Sequence, residues 1–101
     1  MNITDTYLEE IRQTILWYFE DEDVSIALFG SRARGESRSG SDVDVAIIPH
    51  NGYDRRKLIY LRERLEQMNI PYKVELVEWN ELSDSFRNQV LDNSVWWKGQ
   101  R

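Results

Sequence analysis

Residues 28–48, LFGSRARGESRSGSDVDVAII, restrict the fold more than any other stretch of the chain. An apolar run ends in Gly30 and Ser31, a polar excursion follows, and Asp42 and Asp44 open a second apolar run. If residues 42–48 form a strand, the two-residue period puts both aspartates on one face. Two neighbouring carboxylates resist joint ionisation unless a cation sits between them, and a hard divalent ion such as Mg²⁺ takes oxygen ligands while keeping substrate phosphates in its shell. On the other run, Gly30 lets a ligand approach the backbone. Ser31 adds a hydroxyl and an amide N–H, and a helix starting just after it would offer more donors to an anion. Phosphate held beside a metal is the minimum equipment for phosphoryl or nucleotidyl transfer.

The flanking sequence supplies the frame. Residues 4–21 read as an amphipathic helix carrying Tyr7, Leu8, Ile11, Ile15, Tyr18 and Phe19, with Thr6 and Glu9 as a capping box. The run Glu20, Asp21, Glu22 and Asp23 ends it, and is expected to be a solvated loop rather than a second metal site. Val24 to Phe29 reads as a strand buried on both faces. Pro49, Asn51 and Gly52 stop the next strand, and His50 between them is assigned no role. A second helix over residues 54–68 buries Leu58, Leu61, Leu65 and Met68, and Pro71 blocks its continuation. In a third strand, residues 72–79, Val74 and Leu76 face the helices, and Lys73 and Glu75 share the opposite face.

Asn80 or Ser83 then caps a last helix with Leu82, Phe86 and Val90 inside. Trp96 and Trp97 cannot both face one core from a strand, so either one lies at an interface or both wrap the core edge; residues 98–101 read as a frayed tail. Strands alternating with helices predict one α/β domain over residues 1–101, a small mixed sheet with helices on one side.

The joined pattern, Gly30-Ser31-Arg32-Ala33-Arg34-Gly35 with Arg38, Ser41 and the Asp42/Asp44 pair, resembles the polymerase-β-type nucleotidyltransferases, and within them the minimal nucleotidyltransferase group. That resemblance implies a truncated polymerase-β-type core that moves AMP from ATP, with Mg²⁺, onto a hydroxyl of a partner. The implied partner is a HEPN-type toxin encoded alongside, the implied acceptor a tyrosine, and the implied role that of its antitoxin. It also implies that Asp42 and Asp44 hold the metal and that Glu75, where the family usually has aspartate, is the third carboxylate, serving as metal ligand or proton acceptor. Gly30 and Ser31 would bind the triphosphate. Arg32, Arg34 and Arg38 either pair with phosphate oxygens or lie on the surface, and Lys73 either neutralises leaving-group charge or forms a salt bridge. Two rivals stay open: a binding module with a degenerate site that silences the toxin by occlusion, and nucleotidyl transfer to a small molecule or nucleic acid.

Composition narrows the partners. A net charge of −5 argues against a broad nucleic-acid footprint, so nucleotide and protein partners are expected, with homo- or hetero-oligomers open. The chain has no cysteine, no apolar run of bilayer length and no signal-peptide pattern, and a cytoplasmic location is expected.

Overall fold

The computed structural model describes residues 3–30, 32–33 and 42–99, with side chains from Thr6 onward. Its elements are α1 (Ile3–Tyr18), β1 (Val24–Phe29), β2 (Val43–Pro49), α2 (Arg56–Gln67), β3 (Val74–Glu78), a 3₁₀ turn (Trp79–Glu81), α3 (Asp84–Asn93) and β4 (Val95–Lys98). The strands make one sheet in the order β3-β2-β1-β4. β1 runs antiparallel to β2 and β4, whereas β2 and β3 are parallel, joined by the crossover helix α2. This is the mixed α/β architecture expected.

Alternation along the strands divides the core into two. Ile26, Leu28, Val43, Val45 and Ile47 face α1 and α2, where Ile11, Ile15, Phe19, Leu58, Leu61 and Leu65 pack against them. Ala27, Phe29, Ala46 and Ile48 face the other way and meet Val90 of α3. Helices therefore cover both faces, not one. The cause is that β1 and β2 are apolar at nearly every position, so neither face can be left to water.

Other local expectations change with this packing. α1 starts at Ile3, which puts Thr6 inside the helix rather than at its cap. Ser83 is the cap of α3, its Oγ accepting from the Phe86 amide at 3.3 Å. Phe86 is half-exposed and touches Phe29 only edge-on, with ring centroids 6.4 Å apart. Trp96 and Trp97 straddle the sheet, Trp97 packing on the α1/α2 core and Trp96 on the α3 core. Both therefore wrap the core edge, one on each side.

Lys98 is not part of a frayed tail. It ends β4, and its Nζ donates to the carbonyls of Phe19 at 2.6 Å and Glu22 at 2.7 Å, tying the edge strand to the corner between α1 and β1. Among the described residues no helix is long and apolar enough to cross a membrane. Lys98→Met, which keeps the aliphatic stem but leaves those carbonyls without their donor, should lower unfolding stability by about 2 kcal/mol. Urea titration checks this; an unchanged midpoint would show that the corner is held by packing alone.

Candidate active site

The strand register assembles the site. Phe29 of β1 pairs with Asp44 of β2, and Asp44 pairs with Glu75 of β3, so the three form one row across the sheet. Paired residues project to the same face, here the α3 side, and neighbouring strands lie only about 4.8 Å apart. Asp44 and Glu75 are thus side by side, with exposed Asp42 just before β2. The Val43 amide donates to the Lys73 carbonyl at 2.9 Å, which fixes this end of the β2–β3 pair.

Gly30 closes the row from the other side. Its φ is +79°, a conformation in which an L side chain is strained, and a Cβ there would lie 2.5 Å from Asp44 Oδ2. Glycine is required both by the turn out of β1 and by the Asp44 carboxylate it accommodates. The sequence reading expected Gly30 to leave room for a ligand; in the structure part of that room is taken by Asp44.

Electrostatics follow from the crowding. Burial pushes the Asp44 carboxyl above the ordinary carboxylate range, and the charges of Glu75 and then Asp42 push it further. Lys73 supplies the local counter-charge. Its Nζ lies 2.9 Å from Glu75 Oε1, and that hydrogen bond, the Glu75 charge and more weakly the Asp42 charge hold the ammonium above its usual range. Glu75, one methylene longer than aspartate, reaches Lys73 with its carboxylate. Among the described residues no three His, Cys, Asp or Glu side chains are arranged to hold a metal ion.

Arg32 lies elsewhere. Its guanidinium stacks 4.5 Å over the Tyr72 ring, and Tyr72 meets Tyr7 of α1 edge-on at 6.2 Å. Tyr72 packs on the α1/α2 side of the sheet, opposite Asp44, and through it Arg32 ties the chain leaving Gly30 to the segment that leads into β3. Ser31, Arg34 and Arg38 lie outside the described residues.

Sequence reasoning missed polar contacts at three places. Glu78 is buried at the far end of β3, where the Tyr53 hydroxyl and Arg55 Nε, at 3.1 Å, both reach its Oε1. Burial first, then that hydrogen bond, raises the Tyr53 pKa strongly. His50, given no role, has Nε2 2.6 Å from the Oγ of buried Ser25. In the acidic loop, Glu22 accepts from the Asp54 amide at 3.1 Å and pairs with Lys57 at 3.7 Å, so that run is partly a brace. A glutamate on the apolar parity of a strand was the one available signal, and it pointed to Glu78.

Residues 13–97 match the family described as polymerase beta, nucleotidyltransferase. The chain belongs to that family. It is 34% identical over 65 residues to the Haemophilus influenzae protein named probable protein adenylyltransferase MntA, covering 64% of this chain and 57% of that protein. The chain thus spans little more than half the length of that relative. A solved structure designated a minimal nucleotidyltransferase superposes with a TM-score of 0.67 at 27% identity, covering 89% of this chain and 92% of that one. The same fold occurs, at TM-score 0.61 and 21% identity, in a complex of tri-AMPylated Shewanella oneidensis HEPN toxin with MNT antitoxin, over 91% of this chain and 72% of that one.

Two outcomes follow from the crowded row. Because Asp44 titrates above its unfolded value, its ionisation opposes folding; the penalty is absent in acid, where Asp44 is protonated folded and unfolded alike, and complete above the folded pKa. In chelator, Asp44→Asn should therefore raise the melting temperature by a few degrees at neutral pH, with the gain vanishing below about pH 4. Melting curves across that range check it, and a pH-independent gain would locate the effect elsewhere. Gly30→Ala should cost at least about 1–2 kcal/mol from the backbone conformation alone, measured by denaturant titration. In the Asp44→Ala background, which removes the obstructing carboxylate, the cost should shrink towards that figure.

Proposed function

We propose that this chain is a single minimal nucleotidyltransferase domain over residues 1–101 that moves AMP from ATP to a hydroxyl, a tyrosine in the leading reading, of a HEPN-type toxin, and so acts as its antitoxin. The observation that carries this reading is the placement of Asp42, Asp44 and Glu75 at one end of the sheet beside the Gly30 turn. Family membership and the adenylyltransferase name of the Haemophilus influenzae relative support it. The tri-AMPylated toxin in the Shewanella oneidensis complex supports a protein acceptor.

The donor set fits a hard divalent cation: clustered oxygen ligands with a raised Asp44 pKa are what such an ion would relieve. Asp42 and Asp44 would hold it, with Glu75 beside them. Bound there, Mg²⁺ would supply charge neutralisation on the phosphate oxygens. The chain's own groups do the rest. Gly30 and Ser31 bind the triphosphate, with Arg38 a further phosphate contact. Glu75, when not engaged by Lys73, accepts the proton of the attacking hydroxyl. The hydroxyl oxygen bonds to the α-phosphorus, the bond to the β-phosphate breaks, and pyrophosphate leaves, with Lys73 near enough to offset its charge. The Arg32 stack on Tyr72 favours loop anchoring over phosphate contact for that residue.

A second reading, neutralisation by occlusion, is favoured by one observation: Glu75 is engaged by Lys73 rather than gathered with both aspartates. Intact mass spectrometry of a HEPN partner incubated with this protein, ATP and Mg²⁺ decides between them. The transfer reading expects a gain of one or more AMP units, slowed roughly 10²-fold or more in Asp42→Asn/Asp44→Asn, the scale for a misplaced catalytic group. A stable complex without mass gain would favour occlusion, and AMP appearing on another acceptor would redirect the substrate assignment.

A further inference from the structure

We propose that the groove between Trp17 and Tyr60 docks an arginine-bearing segment of a protein partner. The groove encloses about 520 Å³ where the end of α1 meets the start of α2. Trp17 is 72% exposed and Tyr60 56%, and Tyr18 stands edge-on to Trp17 at 5.3 Å. Exposed aromatic rings walling one groove are the surface chemistry of protein recognition.

The charges select the occupant. The two cations lining the groove are already engaged: Arg56 makes a bidentate pair with Asp54, at 3.0 and 3.1 Å, and Lys57 pairs with Glu22. Glu20 and Asp21 line the same groove, and their side chains have no ion pair or hydrogen bond with other described residues. The result is an aromatic wall with an unneutralised acidic rim. A guanidinium suits both, because it stacks on aromatic faces and forks onto carboxylates.

Position gives the site its use. Val24, where β1 leaves this corner, pairs with Pro49, whereas Phe29 at the other end of β1 pairs with Asp44. The groove and the Asp44 row are therefore separated by the length of a six-residue strand, roughly 17–20 Å. They also lie on opposite faces of the sheet. A partner held here leaves the Asp44 end open.

The test is NMR titration of the whole chain with a five-residue, blocked peptide alternating arginine and leucine, and with its glutamate counterpart. The Trp17 indole N–H should shift saturably with the arginine peptide and not with the glutamate one. The peptide's dissociation constant, read in every variant from the backbone amides of Tyr18, Asp21 and Tyr60, should rise by about 10-fold or more in Glu20→Lys/Asp21→Lys and about 5-fold in Trp17→Ala, as for interface anchors, and Trp17→Phe should recover most of the binding. Asp42→Asn/Asp44→Asn should bind the peptide unchanged, which separates this site from the transfer reading. Equal response to both peptides, or no saturable shift, would overturn the proposal. So would a Trp17 resonance that moves with protein concentration alone, which would make the occupant a second copy of this chain.

Discussion

Two carboxylates forced side by side by hydrogen-bonded strands shape most of what surrounds them. β2 is gripped on one flank by antiparallel β1 and on the other by parallel β3, and this double register leaves Asp44 no freedom to move away from Glu75. The neighbours answer that crowding. Gly30 gives up a side chain so that Asp44 Oδ2 has somewhere to sit, and Lys73 leans onto Glu75. A fold optimised only for stability would place apolar or opposite charges in this row. Crowded like charges of this kind recur at functional sites, where a bound ion or ligand relieves them.

How much of this could be read from the sequence depended on whether the signal was local. Val24–Phe29 was legible to the residue because a run apolar at every position but Ser25, bounded by a glycine and an acidic run, has few other readings. That Asp44 faces away from Val43 and Val45, and that Lys73 and Glu75 share a side, followed from parity alone, whereas Asp42 lies just before β2. What parity could not give was adjacency: that Glu75 lies opposite Asp44 depends on the β2–β3 register, which the α2 crossover sets. The position of α3 was misjudged for a related reason. Its short apolar stripe is compatible with either face, and only the filled α1/α2 side decides the matter. Lys98 looked like tail because its partners are backbone carbonyls of a corner nearly eighty positions earlier, to which no side-chain pattern points.

β3 carries two glutamates with opposite fates. Glu75 faces the α3 side at the polar end of the sheet, while Glu78, three residues on, turns to the α1/α2 face and is enclosed by Tyr53 and Arg55. A buried carboxylate is tolerable only with partners of this kind, since one left alone would be costly. The pair thus divides the strand into an end where the carboxylate is enclosed and an end where it stays half-exposed beside Asp44.

That division has a consequence for how such a chain can vary. Because side chains alternate, sliding β3 by one position would withdraw Glu75 from the row and present Val74 or Leu76 beside Asp44, while exposing Glu78's face to the wrong neighbours. Insertions or deletions in the α2 crossover are therefore tolerated only where the added or lost residues bulge out and β3 docks unchanged. The Asp44–Glu75 pairing at one end and the burial of Glu78 at the other act as a two-point parity check on a single strand, and a shift that fails one point fails both.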